Sequence, residues 1–237
     1  MALPVIDKPT YKVYLPGCGR EVTLRAFTVA EQKILLQAKE EKGSDAESKK
    51  IDAITQVLQL CVLDDIDLGG LALFDFEILF IKLRAVSVDN MATMKYVYSW
   101  HDHENNDKPM ESELTVKIPL NLLMEPKAKD GHTDTVMVND TVGIKLKYPS
   151  VRLMTQKLDD YELIKKCIDY VFDGDEVYDK FTDEEIDGFV DSLDMKALAE
   201  CYKFFDTAPS LYYEKEVTLD DGTTTTLVYE SLSDFFI

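Results

Sequence analysis

Paired cysteines are the first thing missing. The four thiols, Cys18, Cys61, Cys167 and Cys201, form no CxxC-type pair, so no zinc knuckle or thioredoxin-type motif is written into the chain. Three of them fall on or beside the apolar faces of expected helices, where a thiol packs as a small hydrophobe. The expectation is reduced thiols in a reducing cytoplasm, without disulfides. There is no GxSxG, no HExxH and no glycine-rich phosphate loop, and no cysteine has a histidine and an orienting group beside it. An enzyme reading therefore has no positive support. No basic stretch followed by an apolar run marks a secretory signal, and no segment reaches the length of a membrane span. Basic residues are also scarce. Across 237 residues, 26 Lys and Arg stand against 45 Asp and Glu, a formal charge of −19. Phosphate binding needs cations to displace counterions, so nucleic acid is a disfavoured partner, as is an anionic membrane surface. A basic protein partner fits the charge, and so does a plain role in solubility.

What the chain has is 46% hydrophobic residues, enough for a substantial core. Tyr11 to Leu15 and Val22 to Ala26 alternate around Pro16-Gly17-Cys18-Gly19, which predicts a β-hairpin. Thr28 and Glu31 form a capping-box pattern that opens a helix to about Lys42, closed by Gly43-Ser44-Asp45. Ile51, Ile54, Val57, Leu58, Cys61 and Val62 share one helical face. Phe74 to Val86 is apolar nearly all round, which predicts a helix buried on several sides. Thr93 to Trp100 and Glu113 to Ile118 read as strands around a polar loop. Thr135 to Val138 and Val142 to Tyr148 follow, with a turn at Asn139-Asp140. Tyr161, Ile164, Ile168, Val171 and Phe172 are spaced as one helix face. Thr182 with Glu185 repeats the capping box, and Leu198, Tyr202 and Phe205 mark a last helix before Pro209. Leu211 to Leu219 and Thr223 to Tyr229 flank Asp220-Asp221-Gly222 as a second hairpin.

These elements predict an α+β protein: an N-terminal hairpin and helical core over 1–90, a small, mostly antiparallel inserted sheet over 91–149, and a second helical group ending in a hairpin over 150–237.

One segment has the outline of a metal site. Asp173, Asp175, Asp179 and Glu184 occupy positions 1, 3, 7 and 12 of a twelve-residue window between two expected helices, as in an EF-hand. Val177 stands where an oxygen ligand is wanted and Tyr178 where a glycine should allow the sharp turn, so an acidic capping loop is the favoured reading. His101 and His103 sit in a polar loop with Asp102 and Glu104, and His132 is remote, which falls short of a rigid set of zinc ligands. No cofactor is expected. Partner-binding candidates are aromatic and acidic. Tyr212 and Tyr213 are adjacent, so in a strand they point to opposite faces and one is free to be exposed. Phe235, Phe236 and Ile237 put apolar bulk at the terminus, with docking on the protein's own core favoured over a partner. Asp183, Glu184 and Glu185 lie in the first turn of an expected helix and should face water.

The run Arg25, Phe27, Val29, Glu31, Lys33, Leu35 and Leu36, following a Leu-Pro opening and a hairpin, resembles the start of the baseplate hub and hub-assembly proteins of T-even-like contractile-tailed bacteriophages. "FDFEILFIKLRAVSV" from Phe74 to Val88, "VGIKLKYPS" from Val142 to Ser150, and the final "LSDFF" are similar to further blocks of that family, in the same order. The middle and C-terminal hairpins hold no cysteine, so packing rather than a metal knuckle is expected to hold them. The resemblance implies a non-enzymatic role in building the hub, as a subunit or an assembly chaperone. It implies other tail or hub proteins as partners, with the tape-measure protein a candidate, in the host cytoplasm during assembly and in the virion tail baseplate for a retained subunit. Two other classes stay open on the residues: a Ca²⁺-responsive binding module built on Asp173 to Glu184, and a hub-associated cell-wall hydrolase.

Overall fold

The computed structural model describes residues 6–43, 46–102, 108–230 and 232. The chain opens with the expected hairpin, β1 (Thr10–Leu15) and β2 (Arg20–Arg25), followed by α1 (Val29–Glu40), α2 (Ala46–Cys61) and α3 (Leu73–Ser87). A long hairpin, β3 (Met91–Asp102) and β4 (Lys108–Pro119), leads through a 3₁₀ turn at Leu120–Met124 to β5 (Thr135–Met137) and β6 (Val142–Leu146). Then come α4 (Val151–Met154), α5 (Asp160–Cys167), β7 (Ile168–Asp173), β8 (Glu176–Tyr178), α6 (Asp183–Asp191) and α7 (Met195–Thr207). The hairpin β9 (Tyr213–Thr218) and β10 (Thr224–Tyr229) completes the order. All strand pairs are antiparallel; β1–β2, β3–β4 and β9–β10 are separate ribbons, and β5-β6-β7-β8 form a four-stranded sheet. This is the α+β class, with hairpins near both ends and a small antiparallel sheet between helical groups. Among the described residues no helix is long and apolar enough to cross a membrane.

Two hydrophobic cores form. The first surrounds α3, whose Phe76, Ile78, Leu79, Phe80, Ile81 and Leu83 are fully buried, as its lack of a polar face requires. It gathers Val13 and Leu24 from the first hairpin, Leu58 from α2, Val116 and Ile118 from β4, and Leu211, Val217, Tyr229 and Leu232 from the end of the chain. The second core is built from Val136 and Ile144 of the sheet with Ile164, Ile168, Ile186, Leu198, Cys201 and Phe204. The segments 1–90, 91–149 and 150–237 do not each keep a core. The first core takes side chains from all three, and β6 pairs with β7 across the 149/150 boundary.

Polar interlocks fix the first core. Asp75 is buried and accepts the N–H groups of Gly17 at 2.9 Å and Cys18 at 2.8 Å, so α3 holds the turn of the first hairpin. A Cβ on Gly17 would come within 2.7 Å of the Asp75 carboxylate, which is why glycine stands there. Arg25 donates to Glu31 at 2.8 Å, to the Leu60 carbonyl at 2.8 Å and to the Ala26 carbonyl at 3.0 Å, tying β2 to α1 and α2. The capping box of Thr28 and Glu31 forms as expected. Burial by itself would raise the Glu31 carboxyl, yet hydrogen bonds from Arg25 and Thr28 hold it down at about 2.

Two expectations are corrected. Tyr161 to Phe172 is not a single helix: α5 stops at Cys167, and Ile168–Asp173 becomes β7. Ile168, Tyr170, Val171 and Phe172 are β-branched or aromatic, and pairing with β6 outweighs their helical spacing. The polar loop after Trp100 also begins later than expected, because β3 and β4 pair over twelve residues each and extend about 40 Å. The middle of this arm is braced by the C-terminal hairpin. Tyr229 packs edge-on against Tyr96 with ring centres 6.4 Å apart, and the Asp220 N–H donates to the Tyr98 hydroxyl at 3.0 Å.

Candidate partner-binding surface

The sheet and α6 make the most distinctive surface. α6 starts at Thr182, whose hydroxyl accepts from the Glu185 N–H at 3.2 Å while the Glu185 carboxylate accepts the Thr182 N–H at 2.7 Å. Those bonds lower the Glu185 pKa. Lys165 of α5 donates to Asp187 of α6 at 2.8 Å and also to Glu162, which ties the two helices together and raises the lysine's pKa. On the sheet, Phe172 lies directly over Gly143, its cross-strand partner; a Cβ at Gly143 would fall 2.2 Å from the ring. Only glycine lets that ring lie flat across the strand.

Between these elements run two adjoining hollows. One is polar, about 590 Å³, with Lys147, Lys165, Lys166 and Lys180 among its lining. Three of the lysines face carboxylates: Lys165 as above, Lys147 with Asp169 at 4.0 Å, and Lys166 with Asp183 at 3.8 Å. Their charges are thereby partly offset. The other is an apolar groove of about 350 Å³, floored by Val142, Val171 and Phe172 and walled by Phe181, Ile186 and Phe189. Phe181, Ile186 and Lys180 are shared by both. The rim is acidic: residues 173–191 carry nine acidic residues and one basic residue, Lys180. The outer strand β8 leaves Val177 59% and Tyr178 47% exposed.

This arrangement removes the EF-hand geometry. Asp173 ends β7 and pairs with Glu176, Asp175 sits in a hairpin turn opened by Gly174 at φ 57°, Asp179 follows β8, and Glu184 lies in the first turn of α6. A β-hairpin, not an interhelical loop, occupies the window, and among the described residues no group of three or more His, Cys, Asp or Glu is placed to hold a metal. The backbone of His101 is in β3, and His103 lies outside the described residues. His132 is held between Thr207 and Tyr148, 2.9 Å from each, and stacks on Phe204.

The other candidates separate. Asp183, Glu184 and Glu185 are exposed on the groove's α6 side, but Glu185 is also a cap, so it is not purely a surface charge. Tyr212 is exposed and donates its hydroxyl to Glu214 at 2.6 Å, while Tyr213 turns inward against Tyr229 with ring centres 6.1 Å apart. Tyr212 lies just before β9 and Tyr213 is its first residue, so the difference in exposure is not a strand alternation. Phe235 and Phe236 lie outside the described residues. Sequence reasoning missed the groove, since Val142, Val171 and Phe189 come from three elements and Phe181 from the link before α6, and each reads singly as a core position. The one available signal was the density of acids in a short strand-turn-helix segment.

No curated protein and no solved structure matches the chain. A sequence model of the family described as T4 bacteriophage base plate protein matches residues 8–237. With nearly the whole chain covered, including the hairpin-to-helix lock at Arg25 and Glu31, the buried α3 and the β6–β7 floor of the groove, the protein belongs to the T4 bacteriophage base plate protein family.

Proposed function

We propose that this baseplate protein acts without catalysis, by binding other tail or baseplate proteins during construction of the central hub, as a hub subunit or as an assembly chaperone. The observation that carries the reading is the family match over 8–237, joined to the blocks at Arg25–Leu36, Phe74–Val88 and Val142–Ser150 that resemble hub and hub-assembly proteins. Three features support a binding role. Of the interior carboxyls with displaced pKa values, Glu31 and Glu77 have no nucleophile beside them among the described residues, and Asp75 meets the Cys18 thiol, whose pKa burial raises, so that thiol is not activated. The surface offers an acid-rimmed apolar groove and a braced β-arm, both suited to protein contact. The excess of acid turns away nucleic acid and anionic membranes. The tape-measure protein is the candidate client of the chaperone version.

Mass spectrometry of purified virions beside infected-cell lysate tests this reading. Presence in virions identifies a subunit; presence only in lysate identifies a chaperone. Co-expression with hub proteins should give co-purification in either case, and its failure with every hub protein would refute the assembly role. Cleavage of peptidoglycan by the purified chain would refute the non-enzymatic part.

A further inference from the structure

We propose that the apolar groove between the β7–β8 hairpin and α6 docks a short segment of another protein that carries large apolar side chains flanked by Lys or Arg. The inference rests on the assembly reading and names the partner chemistry for one surface.

Size comes first. About 350 Å³ lies near the lower end of ligand sites, which suits one or two anchoring side chains better than a cofactor. The walls are preformed. Phe172 is pinned over Gly143, the sheet is hydrogen-bonded beneath it, and α6 is fixed by its capping box and by Lys165 reaching Asp187. A preformed groove avoids much of the ordering cost that binding otherwise carries.

Charge then selects the occupant. Asp173 and Glu185 line the groove, and Asp175, Glu176, Asp179 and Glu184 flank it in sequence, against Lys180 as the one cation of the segment. A segment with Lys or Arg beside its apolar anchors meets complementary potential there; an acidic one is repelled. A second copy of this chain is a poor occupant for the same reason, since each copy brings a formal charge of −19. β8 continues the surface outward. It is the last strand of its sheet, so its outer edge is open, and Val177 and Tyr178 are exposed beside the groove.

The test is selection from a random dodecapeptide library on the immobilised full chain. Two variants run in parallel. Phe189→Ala enlarges the groove, and Asp175→Lys/Asp179→Lys/Glu184→Lys reverses the rim at positions with no hydrogen bond or ion pair among the described residues. Melting curves that match the wild type establish that both fold. The expected result is enrichment of peptides joining Lys or Arg to Phe, Leu, Ile or Trp, with affinity falling about tenfold or more in either variant and association slowing as salt rises. Enrichment of acidic or uncharged peptides, indifference to both variants, or no enrichment overturns the proposal. So does self-association of the wild type that the rim reversal abolishes, because the occupant would then be a second copy. Co-purification of hub proteins undiminished by both variants would remove the groove while leaving the assembly reading intact. Basic-apolar enrichment without any hub partner would do the reverse.

Discussion

Glu31, Asp75 and Glu77 are the three buried carboxylates among the described residues, and all belong to the region around the first core, whereas the carboxylates of the sheet-and-α6 region are exposed or half-exposed. In the first region Asp75 locks the turn of the first hairpin onto α3 and Glu31 ties β2 to the start of α1. The second region displays its charge outside, around a groove. Charge in the first region is thus a matter of stability, and in the second a matter of what may approach.

Within the first region two glutamates make the contrast sharper. Glu31 has partners on two sides. Glu77 has no hydrogen-bond or ion-pair partner among the described residues, and burial pushes its carboxyl up to about 8. Their effects on stability have opposite signs. Glu31 stabilises above its ordinary range near 4.5, and that contribution is lost as pH falls toward 2. Glu77 is tolerated while protonated, below about 4.5, and costs stability progressively as pH rises toward 8, because the unfolded chain ionises and the folded one resists.

The largest effect should come from putting a new charge where none has a partner. Leu79→Asp, at a fully buried position of α3, should abolish soluble expression, since an unpaired buried carboxylate costs several kcal/mol, a domain's whole margin. A soluble variant with an unchanged melting curve would show that α3 is not the centre of the scaffold. Next in size, Glu77→Gln should be more stable than the wild type at pH 8 and close to it at pH 4, read by urea titration at both values. A constant difference between the two pH values would deny that Glu77 ionises against its surroundings. Asp75→Ala should cost about 3 kcal/mol, because the Gly17 and Cys18 N–H groups lose their acceptor. Smaller still, Glu185→Lys should lower the melting temperature measurably while Glu184→Lys leaves it alone, since only the former caps α6. Equal effects would erase the distinction between cap and rim. At the bottom of the scale, millimolar Ca²⁺ or a chelator should leave melting unchanged, because the Asp173 to Glu184 window is a strand-turn-helix segment.

Local chemistry was legible in the chain. Both capping boxes, both terminal hairpins and the all-round apolarity of α3 could be read because each is decided within a few neighbouring residues. Ile168 to Phe172 could not, because its helical spacing and its strand-forming residue types disagree, and pairing with β6, more than twenty residues away, settles the matter. The groove was illegible for a similar reason. Phe189 and Ile186 look like the inner face of an amphipathic helix, and only the turn of β7 into β8 leaves part of that face open beside Phe172. The family blocks have a physical meaning in return. Arg25, Phe27 and Glu31 join β2 to α1, α2 and, through the Phe27 N–H on Ser87, to the end of α3. The Val142 to Ser150 block supplies Gly143 beneath Phe172 and Tyr148, which stacks with Phe204 of the second core and meets Phe74 of the first edge-on.

Leu211, Val217, Tyr229 and Leu232 close a core that begins at Val13. The second core, by contrast, takes all its buried side chains from Val136 to Phe204, a stretch that gives only one buried side chain, Val151, to the first core. On the ribosome, therefore, the later-starting unit has all its pieces first. The earlier one waits, with the apolar surface of α3 short of its last cover, until the final hairpin emerges. A chain cut short before Leu211 would present that surface permanently, and its fate would be aggregation or capture by a host chaperone. Cover of α3 thus depends on side chains more than a hundred residues downstream of it, from Leu211 to Leu232.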